Sequence, residues 1–414
     1  MEQTHTLLLE ALGAALRNTA VLWTQPMTPE QWSELFQLAD THRVMPMIYQ
    51  AVYCCPSAQQ ANASLFTPYR RRAMHDVIVQ AQRTQAFFEV YDALCAAGLT
   101  PLVVKGVVCR TLYPNPDQRM SGDEDLLLPH DQLRACHRKL VELGFRTEGD
   151  EDGTEQAYET TFVSTRAPLI IEVHSGLFPQ EDGAYGNLAA LFETVFDRAE
   201  ERSIEGHTLR TLSHTDHLLF LICHAFKHFL HSGFGLRQVC DIALYANHFG
   251  SVIDWAAVQH ACRNVRAERF AAGLFQIAEQ YLTFHPAQAC FPEGWRTLNV
   301  QAEPLLEDLL CSGIYGSASM SRRHSSRITL SAVTASRKGG AERAGVLKAL
   351  FPPVEALQRR FPYLEKRPWL LPLAWVQRIA VYRKETAHTQ DNSAVDAVKI
   401  GRERTALLKE YDII

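Results

Sequence analysis

The sequence lacks the features that mark membrane-spanning and disulfide-stabilised proteins. Its longest apolar stretches, such as residues 218–223, fall far short of the ~20 residues that a transmembrane helix needs. The 10 cysteines include no CxxC pair and show no regular spacing, so a disulfide scaffold is excluded. We expect free thiols in a reducing compartment and no membrane partner.

A strong charge of either sign is also missing. The formal net charge is −5, so no overall positive field attracts nucleic acid or anionic lipid. At the N-terminus, Glu2 and Glu10 stand where a secretory signal carries positive charge and a continuous apolar run. The segment is more typical of an amphipathic helix, and we expect a soluble, cytoplasmic protein.

The sequence does contain the material for a large globular fold. Apolar residues make up 47% and charged residues 21% of its 414 residues, which is ordinary usage for a folded chain. This length exceeds one average domain. We therefore expect two or three structural units.

The pattern of apolar residues changes near residue 99. Apolar residues recur every three or four positions up to that point, which predicts helices. Short apolar or β-branched segments follow, and they predict strands at 100–106, 123–128, 159–165 and 169–174. A helical pattern separates the second strand from the third, and a three-residue turn separates the third from the fourth. The predicted fold class is α+β, with an α/β core and a mixed sheet.

Three regions follow from this pattern. Residues 1–98 form an N-terminal helical region, 99–205 form the core, and 206–414 form a C-terminal helical region. Within the last region, residues 312–340 are rich in Ser, Gly and Arg. That composition predicts an exposed basic loop.

The most informative residues are two aspartates in the second predicted strand. Residues two apart in a strand project from the same face, so Asp123 and Asp125 lie side by side. Adjacent carboxylates repel each other unless a cation joins them. Hard oxygen ligands favour Mg²⁺, which usually completes its shell with water and substrate phosphates. The pair therefore predicts a metal–nucleotide site, with Mn²⁺ as an alternative ion.

A third carboxylate is expected from the fourth strand. Ile170, Glu172 and His174 share one face of that strand, opposite the apolar residues between them. Three acids on neighbouring strands would hold two metal ions for an in-line displacement at phosphorus. Glu172 is thus predicted to be a metal ligand and a catalytic residue.

Upstream residues are suited to bind phosphate. Lys105 and Gly106 follow the first predicted strand, where a small residue allows backbone N–H groups to approach an anion. Arg119 has the planar fork that binds phosphate oxygens. Lys227, beside a row of histidines, is a further candidate for nucleotide contact.

These motifs resemble a known family. The order KG, Tyr-Pro, Arg and Gly-Asp-x-Asp before an apolar strand, with a later acid-x-His strand, is similar to the bacterial nucleotidyltransferase family of the polymerase-β-like superfamily. Segments such as FQLADTHRVMPMIYQAV, HAFKHF and RFPYLEKRPWLLP extend the resemblance over most of the chain.

The resemblance implies a function and a set of roles. It implies transfer of a nucleoside monophosphate from an NTP to an acceptor, with Mg²⁺ on Asp123, Asp125 and Glu172, and with Lys105, Gly106 and Arg119 around the triphosphate. The acceptor is an unidentified small molecule, peptide or saccharide. The chain departs from the superfamily in having Lys-Gly where Gly-Ser is usual, and Glu124 where an apolar residue is usual.

Two other functions stay open at this stage. One is a toxin-like enzyme that adds nucleotides to tRNA or other RNA, although the basic stretch has few aromatic residues to stack on bases. The other is a partner protein that binds nucleotide without catalysis. The histidines at 214, 217, 224, 228 and 231 lie on one helical stripe and predict either a cleft lining or a zinc site.

Overall fold

A computed structural model of the protein describes residues 2–147, 158–179, 183–185, 188–231, 233–312, 320–337, 353–358, 361–386 and 394–414. Its internal contacts divide the chain into two compact units. The first contains Met1–Glu181, Asn187–Ala225 and Gly235–Leu310. The second contains Asp182–Gly186, Phe226–Phe234 and Cys311–Ile414. The division into 1–98, 99–205 and 206–414 remains a prediction.

The first unit contains a mixed sheet of seven strands in the order β3-β4-β5-β2-β1-β7-β6. Their bounds are β1 Leu102–Val104, β2 Glu124–Leu127, β3 Phe145–Thr147, β4 Glu159–Ser164, β5 Ile170–His174, β6 Glu200–Ile204 and β7 His207–Thr211. β2 runs antiparallel to β1 and parallel to β5, while β4 pairs antiparallel with β5. The predicted mixed sheet and α+β class are therefore confirmed.

Helices surround this sheet in sequence and make up most of the rest of the chain. The helices of the described residues are α1 Gln3–Leu16, α2 Pro29–Thr41, α3 Met45–Val52, α4 Pro56–Gln60, α5 Ala63–Ala96, α6 Gly106–Arg110, α7 Leu133–Glu142, α8 His214–His231, α9 Leu236–Phe249, α10 Trp255–Asn264, α11 Glu268–Tyr281, α12 Glu293–Arg296, α13 Ala302–Ser312, α14 Met320–Arg337, α15 Val354–Leu357, α16 Tyr363–Lys366, α17 Leu371–Thr386 and α18 Ala394–Glu410. Short 3₁₀ helices occur at Pro116–Gln118, His130–Gln132, Ala189–Phe192 and Pro368–Leu370.

The register of the sheet sets the position of the acidic residues. Asp125 on β2 lies directly beside Glu172 on β5, and Leu127 lies beside His174. Side chains alternate between the two faces of a strand, so Glu124 points away from this polar face. Leu126 and Ile171 are fully buried on that opposite face. One side of the central strands is therefore a packed core, and the other carries the acids.

A two-residue hairpin between β6 and β7 was not predicted. Its turn consists of Glu205 and Gly206, with φ angles of 51° and 87°. Two consecutive positive φ angles define the turn type that matches the twist of paired strands. The sheet therefore extends to Thr211, past the predicted end of the core. Alternating residues on both sides of Glu-Gly were the signal in the sequence.

The predicted basic loop at 312–340 is wrong over most of its length, because Met320–Arg337 forms α14. Its small polar residues are compatible with a buried helix since their hydroxyls bond to carbonyls one turn earlier. Ser325 Oγ donates to the Arg322 carbonyl at 2.7 Å, and Thr329 Oγ1 donates to the Ser326 carbonyl at 2.8 Å. The remaining positions, 313–319 and 338–340, lie outside the described residues.

Among the helices that the structure describes, none combines the length and the apolar character that crossing a bilayer requires.

The hairpin turn gives a test of the fold that is independent of the site. No atom lies within 4 Å of a Cβ added at Gly206, so Gly206→Ala should lower the free energy of unfolding through backbone strain alone, by about 1 kcal/mol. Glu205→Asn should raise it by about 0.5 kcal/mol, because asparagine tolerates positive φ better than glutamate. Urea denaturation measures both changes.

The matched control is Gly294→Ala in α12, where alanine is expected to stabilise by about 0.5 kcal/mol. Equal effects of alanine at positions 206 and 294 would contradict the positive-φ turn.

Candidate functional site

The Lys-Gly turn after β1 has an unusual backbone conformation. Lys105 has φ 50° and ψ −107°, a region that costs a residue with a side chain on the order of 1–3 kcal/mol. Its backbone N–H donates to Nε2 of His217 at 3.1 Å. A buried hydrogen bond from α8 therefore helps to hold the turn in its strained form.

This contact also fixes the tautomer of His217. Because the backbone N–H can only donate, Nε2 must accept and Nδ1 must carry the proton. Nδ1 lies 3.4 Å from Thr211 Oγ1, and that hydroxyl donates to the Val103 carbonyl at 2.6 Å. Burial holds the pKa of His217 well below its ordinary value, so the ring stays neutral and the chain of hydrogen bonds remains intact.

Glu124 supports the same turn from the opposite face of the sheet. It is fully buried, and its carboxylate accepts from the Val107 backbone N–H at 3.0 Å and from Ser121 Oγ at 3.0 Å. A guanidinium N–H of Arg110 lies 3.3 Å away. The departure from an apolar residue at this position is thus a structural ion pair, directed away from Asp125.

The close approach of Glu124 explains the glycine of the motif. A Cβ added at Gly106 would lie 1.9 Å from Glu124 Oε2, and the φ of Gly106 is +26°. Any side chain would displace the carboxylate that binds the turn. The predicted role of Gly106 in phosphate binding stays a prediction, but its structural role is clear.

Three potential metal ligands converge on the polar face of the sheet. Asp125, Glu172 and His174 each offer one ligand atom, and these atoms lie within 4.8 Å of one another. His174 Nε2 is 3.0 Å from Asp125 Oδ1 and 3.8 Å from Glu172 Oε2. Two carboxylates suit a hard divalent cation, and an imidazole suits Mn²⁺ or Zn²⁺ in addition. The donor set therefore fits a metal ion.

Lys105 provides the positive charge of this cluster. Its Nζ lies 2.9 Å from Asp125 Oδ2 and 3.3 Å from His224 Nε2. Burial alone would raise the pKa of Asp125, but Lys105 and the hydrogen bond from His174 lower it below its ordinary value. Burial would likewise lower the pKa of Lys105, and Asp125 and Asp123 raise it instead. Both groups are therefore charged at neutral pH.

The pKa of Glu172 is shifted upwards, in the opposite direction to that of Asp125. Burial and the neighbouring charges of Asp123, Asp125 and Glu159 raise its pKa to about 8. Glu172 is thus largely protonated at neutral pH in the metal-free protein. A divalent cation would reverse this effect, because it favours the ionised carboxylate.

A pocket in the first unit opens beside these groups. Its lining is mostly polar, with both signs of charge and one leucine: Lys105, Gly106, Arg119, Ser121, Asp123, Asp125, Leu221, His224, Arg237, Gln238 and Asp241. Asp123 and Asp125 thus face a common cavity, while Asp123 stands outside the cluster with Glu172 and His174. The phosphate-binding candidates Lys105, Gly106 and Arg119 line the same cavity.

Arg119 makes a strong internal contact. Its Nε and Nη2 donate to the two oxygens of Asp241 at 2.9 and 2.7 Å. Both side chains are buried, and the Tyr113 hydroxyl donates to Asp241 Oδ1 at 2.8 Å. Asp241 is therefore the partner that orients Arg119.

The row of histidines on α8 does not act as one group. His217 binds the Lys105 backbone, His224 contacts its amine, and His214 Nδ1 lies 3.0 Å from Arg202 Nη2. Within the part of the chain that is described, the three-ligand cluster on β2 and β5 includes none of them. Lys227 lies on α8 within the second compact unit, and its contact with nucleotide remains a prediction.

The sequence patterns did not identify four supporting residues, because their partners are distant in the chain or share no local motif with them. His217 was treated as one of a row, and Thr211 and Arg110 were not considered. Gln80 on α5 was also missed, although its Oε1 accepts from the Ser121 backbone N–H at 2.8 Å. None of these contacts has a local motif that would identify it.

The raised pKa of Glu172 predicts a pH-dependent stability. The folded protein binds the Glu172 proton with a pKa of about 8, against 4.5 for an ordinary glutamate. Its contribution to stability is therefore complete below pH 4.5 and is lost as the pH rises through 8. In EDTA, wild type should lose ~2 kcal/mol more than Glu172→Gln between pH 6 and pH 9, after allowance for partial exposure. Urea denaturation at each pH measures this, and parallel pH profiles for the two proteins would contradict it.

The buried ion pair beneath the turn gives a second prediction. Glu124→Gln should lower the free energy of unfolding by ~3 kcal/mol, because it leaves the Arg110 guanidinium buried without a negative partner. The exposed pair of Lys139 and Glu142 is the matched control, and Glu142→Gln should cost less than ~0.5 kcal/mol. A similar cost for both variants in denaturant titrations would refute the structural role of Glu124.

The geometry of this site agrees with the comparison of the chain with known proteins. A family model described as "uncharacterised nucleotidyltransferase" matches residues 28–283, a range that includes the whole sheet and the pocket. No curated protein and no solved structure matches the chain. Since the matched range exceeds half of the 414 residues, the chain belongs to this nucleotidyltransferase family.

Proposed function

We propose that the protein transfers a nucleoside monophosphate from a Mg²⁺-bound NTP to an acceptor, with release of pyrophosphate. The observation that carries this proposal is the convergence of Asp125, Glu172 and His174 beside the Lys105 turn. A carboxylate cluster and a lysine at one end of a polar pocket suit a metal-bound polyphosphate. Family membership supports the same class of reaction.

In this proposal the acids hold the metal. Asp125 and Glu172 supply oxygen ligands from adjacent strands, and Asp123 supplies a third carboxylate from the pocket wall. The metal would neutralise charge on the phosphates and on the attacking and leaving oxygens. His174 is hydrogen-bonded to Asp125, and it would orient that carboxylate or bind Mn²⁺ in place of Mg²⁺.

Lys105 and the turn would bind the triphosphate. The Lys105 amine lies at the pocket wall, 2.9 Å from Asp125. With a divalent cation bound at Asp125, this amine would be free to pair with a phosphate oxygen instead. The lysine would thus substitute for the serine hydroxyl of the Gly-Ser motif that is usual in the superfamily.

The proton of the acceptor must also be removed. As the acceptor oxygen forms its bond to the α-phosphorus, the bond to the bridging oxygen breaks and its electron pair leaves with pyrophosphate. Glu172 and His174 lie on the same face of β5, within 3.8 Å of each other, and either would accept the acceptor proton in this step. Most of the rate enhancement would come from positioning and charge neutralisation.

Incubation with α-labelled NTPs, Mg²⁺ and fractions of a cell lysate tests the proposal. Wild type should label one class of acceptor, and Asp125→Asn should lower the rate by ~10³-fold or more because it removes the central metal ligand. Glu142→Gln, a surface carboxylate on α7, serves as the control and should retain full activity. Mass spectrometry of the product identifies an added nucleotide rather than an added phosphate.

Each other outcome selects a different function. Label in RNA would favour an RNA-modifying enzyme. Mg²⁺-dependent NTP binding by calorimetry, with no pyrophosphate release from any fraction, would favour a noncatalytic partner protein. Absence of any Mg²⁺-linked NTP binding would rule out the proposal.

A further inference from the structure

One side of the pocket carries a guanidinium that pairs with none of the residues that the structure describes. Arg237 lies in the first turn of α9 and lines the cavity. Within the described residues no hydrogen bond or ion pair joins its guanidinium to another side chain, and its Nε is buried without a partner. Arg237 is partly exposed as a residue, but this N–H group is shielded from water, and a buried donor without an acceptor is costly. The guanidinium of Arg237 therefore points to an anion that would complete its hydrogen bonds.

The neighbouring Arg119 strengthens this indication. Two of its N–H groups bind Asp241, but its Nη1 is buried and has no partner. Asp241 is already engaged by Arg119 and Tyr113, and no ion pair among the described residues joins it to Arg237. Burial, and next the charge of Arg119, lower the pKa of Arg237. This corner of the pocket therefore has an excess of positive charge and N–H donors.

The other charges of the pocket do not neutralise this excess directly. Lys105 is paired with Asp125. Asp123 lines the same cavity and acts on Arg237 through space, but no ion pair within 4.0 Å joins the two among the described residues. The pocket thus contains one unpaired carboxylate and one unpaired guanidinium at separate points. A phosphate chain that carries a metal ion has the complementary arrangement of charges.

The backbone at the N-terminus of α9 adds a weaker attraction for anions. α9 is a helix of 14 residues whose N-cap, Gly235, provides no side-chain hydrogen bond. The N-terminus of a helix carries about half a positive charge and favours anions nearby. Arg237 therefore extends from a helix end that is itself attractive to phosphate.

We propose that Arg237 and the free Nη1 of Arg119 form the subsite for the terminal phosphates of the NTP, which leave as pyrophosphate. This inference rests on the proposed function and adds a residue outside the motif to it. Negative charge accumulates on the leaving pyrophosphate as the bond to the α-phosphorus breaks. A fixed guanidinium with several N–H donors stabilises that charge without reorganisation.

Binding of inorganic pyrophosphate by isothermal titration calorimetry tests this subsite directly, since it needs no acceptor. The full-length protein in Mg²⁺ should bind pyrophosphate ~10- to 100-fold more tightly than Arg237→Gln. Arg237→Lys should recover part of the loss, because it restores the charge but not the fork. Arg263→Gln, at an exposed arginine paired with Glu268, is the control and should bind as wild type does.

Folding of the variants is checked by thermal denaturation. Because the substitution leaves no described residue without its ion-pair partner, Arg237→Gln should unfold at the same temperature as wild type or higher. A correctly folded Arg237→Gln with wild-type affinity for pyrophosphate would overturn the subsite.

The subsite and the proposed function fail in different ways. If no acceptor is ever labelled but pyrophosphate affinity still falls in Arg237→Gln, the anion subsite stands and the transfer reaction does not. If nucleotide transfer is found and Arg237→Gln binds pyrophosphate and releases it at the wild-type rate, the transfer reaction stands and the subsite is refuted.

Discussion

The site is organised around the ion pair between Lys105 and Asp125. Burial opposes charge on both groups, and the main influence that keeps each of them charged is the other, 2.9 Å away, with support from His174 and Asp123. Lys105 and Asp125 therefore neutralise each other, as a phosphate on Lys105 and a metal ion on Asp125 would do in the proposed complex. Exchange of one set of partners for the other conserves charge in the pocket, so metal and polyphosphate are expected to bind together rather than separately.

The rigidity of this pair comes from supporting residues around it, most of which lie outside the pocket lining. Lys105 has a strained backbone, and the strain is maintained by His217 on one side and by Glu124 on the other. Glu124 is joined in turn to Arg110 and Ser121. The strained turn and the buried ion pair, which are the energetically costly features of the site, therefore lie in the residues that support Lys105. They do not depend on bound substrate.

Local patterns in the sequence predicted four of the seven strands of the described sheet, including the two that carry the central acids. Alternation along β2 and β5 predicted that Asp125 and Glu172 share a face, and their register confirms it. Local patterns could not predict that Arg119 binds Asp241 or that the Lys105 backbone binds His217, since each partner lies more than 100 positions later in the chain. The α14 helix was missed because its serines resemble a loop in composition, whereas their hydroxyls bond within the helix.

The order of the strands determines how firmly the two strands that carry the acids are held. β2 and β5 lie inside the sheet, while β3 forms one edge and is joined by the chain to β4 beside it. β2 is paired with β1 and β5, and β5 is paired with β2 and β4, so neighbours on both sides fix the register of the two central strands. A slip of either strand by one residue would turn Asp125 or Glu172 towards the packed core, so the chemistry of the site depends on correct pairing across the sheet.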